Sequence, residues 1–146
     1  MTIEISNEST SQVDTEAIVS VAAFTIAAMG LHPECDLEIL LVNEDRMSEL
    51  HVEWMDLPGP TDVLSFPMDE LTPDSLEDGP GIIGDIVLCP EFAAAQAKSG
   101  LASELHLLTI HGILHCIGFD HLLPDEEKVM FALQEKILGD WQSTHK

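Results

Sequence analysis

The run HGILHCIGFDH, residues 111–121, holds three of the chain's seven histidines. His111 and His115 are four apart, so on a helix both project from one face and can offer two imidazole nitrogens to one point. His121 cannot join them on the same straight helix. Gly118 lies between, and glycine takes the left-handed conformation that ends a helix without steric cost. Phe119 and Asp120 can then carry His121 back toward the other two. Three neutral nitrogen donors at about 2.0–2.1 Å suit zinc, and also nickel, copper or iron. Three protein ligands leave one tetrahedral position open, as in catalytic rather than structural zinc sites, and water bound there can reach a pKa near about 7. The expectation is one Zn2+ per chain on His111, His115 and His121, with hydrolytic chemistry. Asp120 is the candidate catalytic carboxylate, as proton acceptor or as the group that orients an imidazole. It can equally be a turn aspartate bonded to its own backbone.

The neighbouring residues narrow the chemistry. In zinc peptidases the motif reads H-E-x-x-H, and its glutamate is the general base. Gly112 stands in that position here, which disfavours a peptidase. Cys116 adjoins His115 but points about 100° away round the helix, into the expected core. His106 lies off the ligand face, His51 on the inner face of another helix, and His32 and His145 in a turn and the tail. A plain stability role for the histidine trio, with no metal, stays open from the residues alone.

The elements that must position this run can be read along the chain. Thr2 to Ser6 alternates as a short strand. Asp14 caps a helix from Thr15 to Met29, with Gly30 just past its end. That helix is apolar nearly all round and so central. LEILLV, residues 37–42, reads as a buried strand. A helix opened by Asn43 or Glu44 turns Met47, Leu50, His51 and Trp54 inward. After a break at 58–60 come the strand TDVLSF (61–66), an acidic, proline-rich stretch (67–80) expected as a mobile surface loop, and the strand IIGDIVLC (82–89) as its antiparallel partner. Asp85 in that strand is expected to be buried and held by a structural hydrogen bond. Helices follow at 90–98, 102–117 and 124–138. The fold class is α+β: a single domain spanning 1–146, with a mixed four- to five-stranded sheet, about five helices, and the metal site at a helix end beside the sheet.

Composition bounds the partners. Of 146 residues, 45% are apolar, and 27 acids against 5 bases give a net charge of −22. Such a chain stays soluble and lacks the basic footprint of a general nucleic-acid binder, so no DNA partner is expected and RNA needs a local site or a metal. The apolar run 17–29 is too short to cross a bilayer. No lysine or arginine precedes Arg46, so the positive start of a signal peptide is missing. Three scattered cysteines without a C-x-x-C pair fit a reducing cytoplasm.

HGILHCIGFDH also resembles the H-G-x-L-H-x-x-G-x-D-H signature of the YbeY family, single-strand endoribonucleases that mature ribosomal RNA. The resemblance continues through PTDVLSFP (60–67), GDIVL (84–88) and MFALQEKIL (130–138), and covers about residues 36–138 in the family's order. It implies a metal-dependent RNase with zinc on His111, His115 and His121, in an α+β fold with the metal at the mouth of a cleft between helices and sheet. It implies work on 16S rRNA 3′-end maturation and ribosome quality control; the net charge of −22 adds the expectation that a ribosomal protein or the small subunit delivers the RNA. The TDVLSF strand would line the cleft, with Asp62 and Ser65 as candidate substrate-binding residues. The chain departs from the family where an arginine before that strand becomes Met55, an asparagine becomes His51 and a serine becomes Cys89. The missing arginine leaves a non-cleaving zinc-binding ribosome assembly factor as the alternative.

Overall fold

The computed structural model of the chain describes residues 2–55, 61–96, 100–120 and 123–144. Its elements are β1 (Thr2–Asn7), α1 (Thr15–Ala28), β2 (Asp36–Leu41), α2 (Glu44–Met55), β3 (Val63–Pro67), β4 (Ile82–Leu88), α3 (Pro90–Gln96), α4 (Leu101–Cys116) and α5 (Pro124–Thr144). This is the expected α+β domain, with four strands among the described residues.

The sheet order is β1-β2-β4-β3. The first three strands in that order run parallel, and β3 pairs antiparallel with β4 as the edge. The parallel β1–β2 pair needs a crossover, which α1 supplies. Asp14 opens α1 by accepting from the Ala17 amide at 3.2 Å. At its other end the Gly30 and Leu31 amides return to Ala27 O and Ile26 O at 3.1 Å each. Alternation along β2 sends Leu37, Ile39 and Leu41 into the main core with α1, α4 and α5. Leu40 faces the other way, where Met47 and Leu50 of α2 join Leu64 and Val87 in a second, smaller cluster.

Two expectations need correction and one is refined. The last helix runs to Thr144 rather than 138, because Trp141 is buried and its indole donates to Ser20 Oγ of α1 at 3.1 Å. The polar residues around Trp141 disguise this contact as a tail. The acidic stretch 67–80 lies at the surface as expected, but it carries anchors that its composition does not announce. The Ile82 amide donates to Asp69 Oδ2 at 2.7 Å, the Asp74 amide donates to Met29 O at 2.9 Å, and Leu71 packs on the main core. Asp85 is only half-buried. It sits opposite Glu38 in the β2–β4 register. With Glu38, Leu40, Arg46 and Phe66 it lines a groove of about 510 Å³ on the sheet. Strand polarity alone could not reveal that α2 leaves this part of the sheet open.

The anchor on the acidic loop is directly testable. Asp69→Ala is expected to cost about 1 kcal/mol in urea unfolding, the net worth of one such hydrogen bond, and to speed proteolysis within residues 67–80. Unchanged cleavage there would show that Asp69 does not hold the loop.

Candidate functional site

The site is built on α4, and Gly112 is what lets α4 come so close to the sheet. A Cβ on Gly112 would lie 3.1–3.2 Å from three carbons of Ile86 on β4. Ile86 is fully buried, so that space cannot be enlarged cheaply. The glutamate of the peptidase motif would have to enter this apolar contact, so the position is closed to a general base for steric and solvation reasons alike.

With Gly112 facing the strand, His111 and His115 fall on the flank of α4, both half-buried. Their ring centroids are 4.7 Å apart at an interplanar angle of 76°. His111 Nδ1 lies 3.0 Å from Oε1 of Gln134 on α5. An amide oxygen only accepts, so this contact is a hydrogen bond in the tautomer that carries the proton on Nδ1. Gln134 is the only buried amide side chain among the described residues, the two buried threonines being hydroxyls. Sequence reasoning missed it. Its one signal was a polar residue at a buried step of α5, four after Met130 and three before Ile137.

The helix ends as the sequence requires. Gly118 has φ +105°, and the Gly118 and Phe119 amides bond back to His115 O at 3.2 Å and Leu114 O at 3.0 Å. This is the paired closure of a Schellman motif. The chain therefore turns at Gly118, and half-buried Asp120 follows the turn. His121 lies outside the described residues. His115 occupies the last turn of α4, where the carbonyl end of the helix favours positive charge.

The candidate substrate residues lie on and just before the edge strand. On β3, Val63 packs toward the main core while Leu64 and Phe66 join the second cluster. Ser65 alternates with them onto the α4 side, opposite Ile86, and so shares the face that carries the histidines. Asp62 precedes the strand; its carbonyl accepts from the Cys89 amide at 3.0 Å. Burial first, and then the negative charge of Asp62, push the Glu104 carboxyl above its ordinary range. Glu104 precedes His111 by seven residues, about 10 Å along α4. The charge of Asp62 is thus felt at the start of α4.

The bystanders behave as expected. Cys116 is buried, and its thiol is pushed up to about 12 by burial and by the charge of Asp85, so it offers no thiolate. His106 stacks edge-on with Trp141 at 4.8 Å, and burial lowers its pKa. Among the described residues no group of three histidine, cysteine or carboxylate side chains converges as a complete metal cage. The described part of the site supplies two nitrogen donors.

Comparison with known proteins supplies the context. The family model described as Endoribonuclease YbeY matches residues 3–142. Endoribonuclease YbeY of Rhodococcus opacus is 58% identical over 148 residues, covering 97% of this chain and 82% of that protein. Its counterpart in Nocardia farcinica is 59% identical, covering 97% and 80%. The solution structure of TM1509 from Thermotoga maritima superposes with a TM-score of 0.64 at 28% identity, over 98% of this chain and 93% of that one.

Two substitutions test the local physics. Gly112→Glu is expected to lose more than about 2 kcal/mol of stability by urea titration, through overpacking and a buried unpaired charge, without gaining peptidase activity. Stability equal to the parent would refute the close approach. Glu104 has a raised folded pKa, so its contribution is complete below the ordinary value of 4.5 and is lost as pH rises through the raised value. Glu104→Gln should therefore match the parent in acid and be the more stable at neutral pH. Identical pH–stability curves would contradict this.

Proposed function

Because the chain belongs to the YbeY endoribonuclease family, we propose that the α4 histidines form the core of a zinc-dependent endoribonuclease site. One Zn2+ per chain would be held by His111, His115 and His121. The observation that carries this reading is the paired imidazoles with the Gln134 amide against Nδ1 of one. That donor set fits the cation: two rings share one helix face, and Gln134 Oε1 stands 3.0 Å from His111 Nδ1, placed to accept a proton there. When bound, the cation supplies a Lewis acid for a phosphodiester oxygen.

The chain's own groups do the rest. Gln134 orients His111, in the manner of the outer partners that fix most ligating histidines. Ser65 presents a hydroxyl on the same face of the sheet edge, able to donate to a phosphate or sugar oxygen. Asp120, just past the helix-ending turn, is the proposed proton acceptor.

The proposed substrate is single-stranded ribosomal RNA in 16S rRNA 3′-end maturation and ribosome quality control, in the cytoplasm. A net charge of −22 repels a polyanion. Met55, the last residue of α2, stands at the family's arginine position, and an apolar side chain cannot neutralise a phosphate. Arg46 is nine residues upstream, about 13 Å along a helix, and already pairs with Glu49 at 3.0 Å. Free RNA therefore binds weakly, and a ribosomal protein or the small subunit delivers it. The loss of the arginine favours one second reading, a zinc-binding assembly factor that does not cut.

Metal analysis together with cleavage assays on ribosomal particles separates these readings. Purified protein should carry about one zinc per chain, and His111→Ala should lose both the metal and cleavage. Gln134→Leu should weaken zinc binding by about 10–100-fold. Metal-free parent protein, or full cleavage by His111→Ala, would defeat the proposal. Intact ribosomal RNA processing with a metal-depleted His111→Ala would favour the assembly factor.

A further inference from the structure

Phe131 is the only aromatic side chain among the large apolar residues left exposed in the described structure, at 37%. It stands on α5 with its ring centroid 6.3 Å from that of His111, tilted by 48°. Gln134, one turn later on the same helix, makes the hydrogen bond to His111. The two residues thus share the side of α5 that addresses the histidine pair, one buried beneath it and one open at its rim.

We propose that Phe131 is a stacking subsite for an unpaired nucleobase of the RNA held at His111, an inference that rests on the endoribonuclease reading above. The charge balance of the chain points the same way. With 27 acids and 5 bases, attraction to phosphates cannot supply the affinity. Among the described basic residues, Arg46 pairs with Glu49 and Lys136 with Asp140. Lys128, three residues before Phe131, follows three acids in the first turn of α5, Asp125, Glu126 and Glu127. Stacking on an aromatic face needs no positive charge and accepts any base, and is the contact that single-strand binders use beside their backbone grooves. A leucine at this position would also cover His111, but it would offer no flat π-face. The subsite therefore distinguishes a flexible single strand, whose bases can splay out, from a duplex, whose bases are already stacked.

The test uses full-length zinc-loaded protein at low ionic strength and RNA with a 2′-O-methyl, phosphorothioate backbone, so that binding is read without cleavage. Fluorescence anisotropy is measured with a short single-stranded RNA and with versions carrying one abasic nucleotide at each position in turn. Phe131→Leu should weaken binding about ten-fold, and Phe131→Tyr should stay within about two-fold of the parent. One abasic position should cost the parent a similar factor and cost Phe131→Leu nothing further. Because that abasic scan is run on the parent protein, a flat scan overturns the subsite even if a variant folds poorly. Equal affinity of Phe131→Leu and parent, or an abasic scan with no distinguished position, overturns the subsite. If the metal-loaded parent still cuts ribosomal particles in that case, the endoribonuclease reading survives and only the subsite falls. If the parent neither binds nor cuts RNA, both fall.

Discussion

Gly112 allows α4 to lie against β4 at a distance where a single added carbon would press on Ile86. That contact fixes the rotation of the helix about its own axis. Once Gly112 faces the strand, residue 111 must stand on one flank, and residue 115, a turn later, stands above it. The histidine pair is therefore a consequence of helix-to-sheet packing as much as of its own chemistry. Cys116, which carries no chemistry, is turned by the same rotation into the core beside Gly84.

A second layer acts through α5. Its buried residues Met130, Gln134, Ile137, Leu138 and Trp141 follow helical spacing, and four of the five are apolar. Trp141 docks the far end of the helix on Ser20. Gln134 spends its carbonyl on His111. A buried amide without a partner costs about 1–3 kcal/mol, so this bond serves stability and orientation together. Phe131 extends the same helix face outward, to where a substrate would approach. The first two contacts bind α5 into the main core, while the third leaves apolar surface in water.

Much of this was legible in the sequence because the relevant signals are local. The i, i+4 histidines and the helix-ending glycine require only the geometry of one helix, and Gly118 indeed takes positive φ. The β3–β4 pairing follows from two β-rich runs in succession. What escaped depends on long-range contacts. Gln134 meets His111 across 23 residues and Trp141 meets Ser20 across 121. The acidic loop reads as loose because each of its anchors, Asp69 and Asp74, binds backbone of a separate segment. Asp85 reads as buried because its neighbours are apolar, while the openness of its face is set by how much of the sheet α2 covers.

The orientation of His111 is the point on which the site turns, and nitrogen-15 NMR of the histidine rings measures it directly. In metal-free protein we expect His111 as the Nδ1–H tautomer with an unprotonated Nε2. On titration with one equivalent of zinc, the Nε2 resonances of His111 and His115 should move together. An Nε2–H tautomer at His111, or zinc addition that leaves both rings unshifted, would contradict a cation site built on this pair.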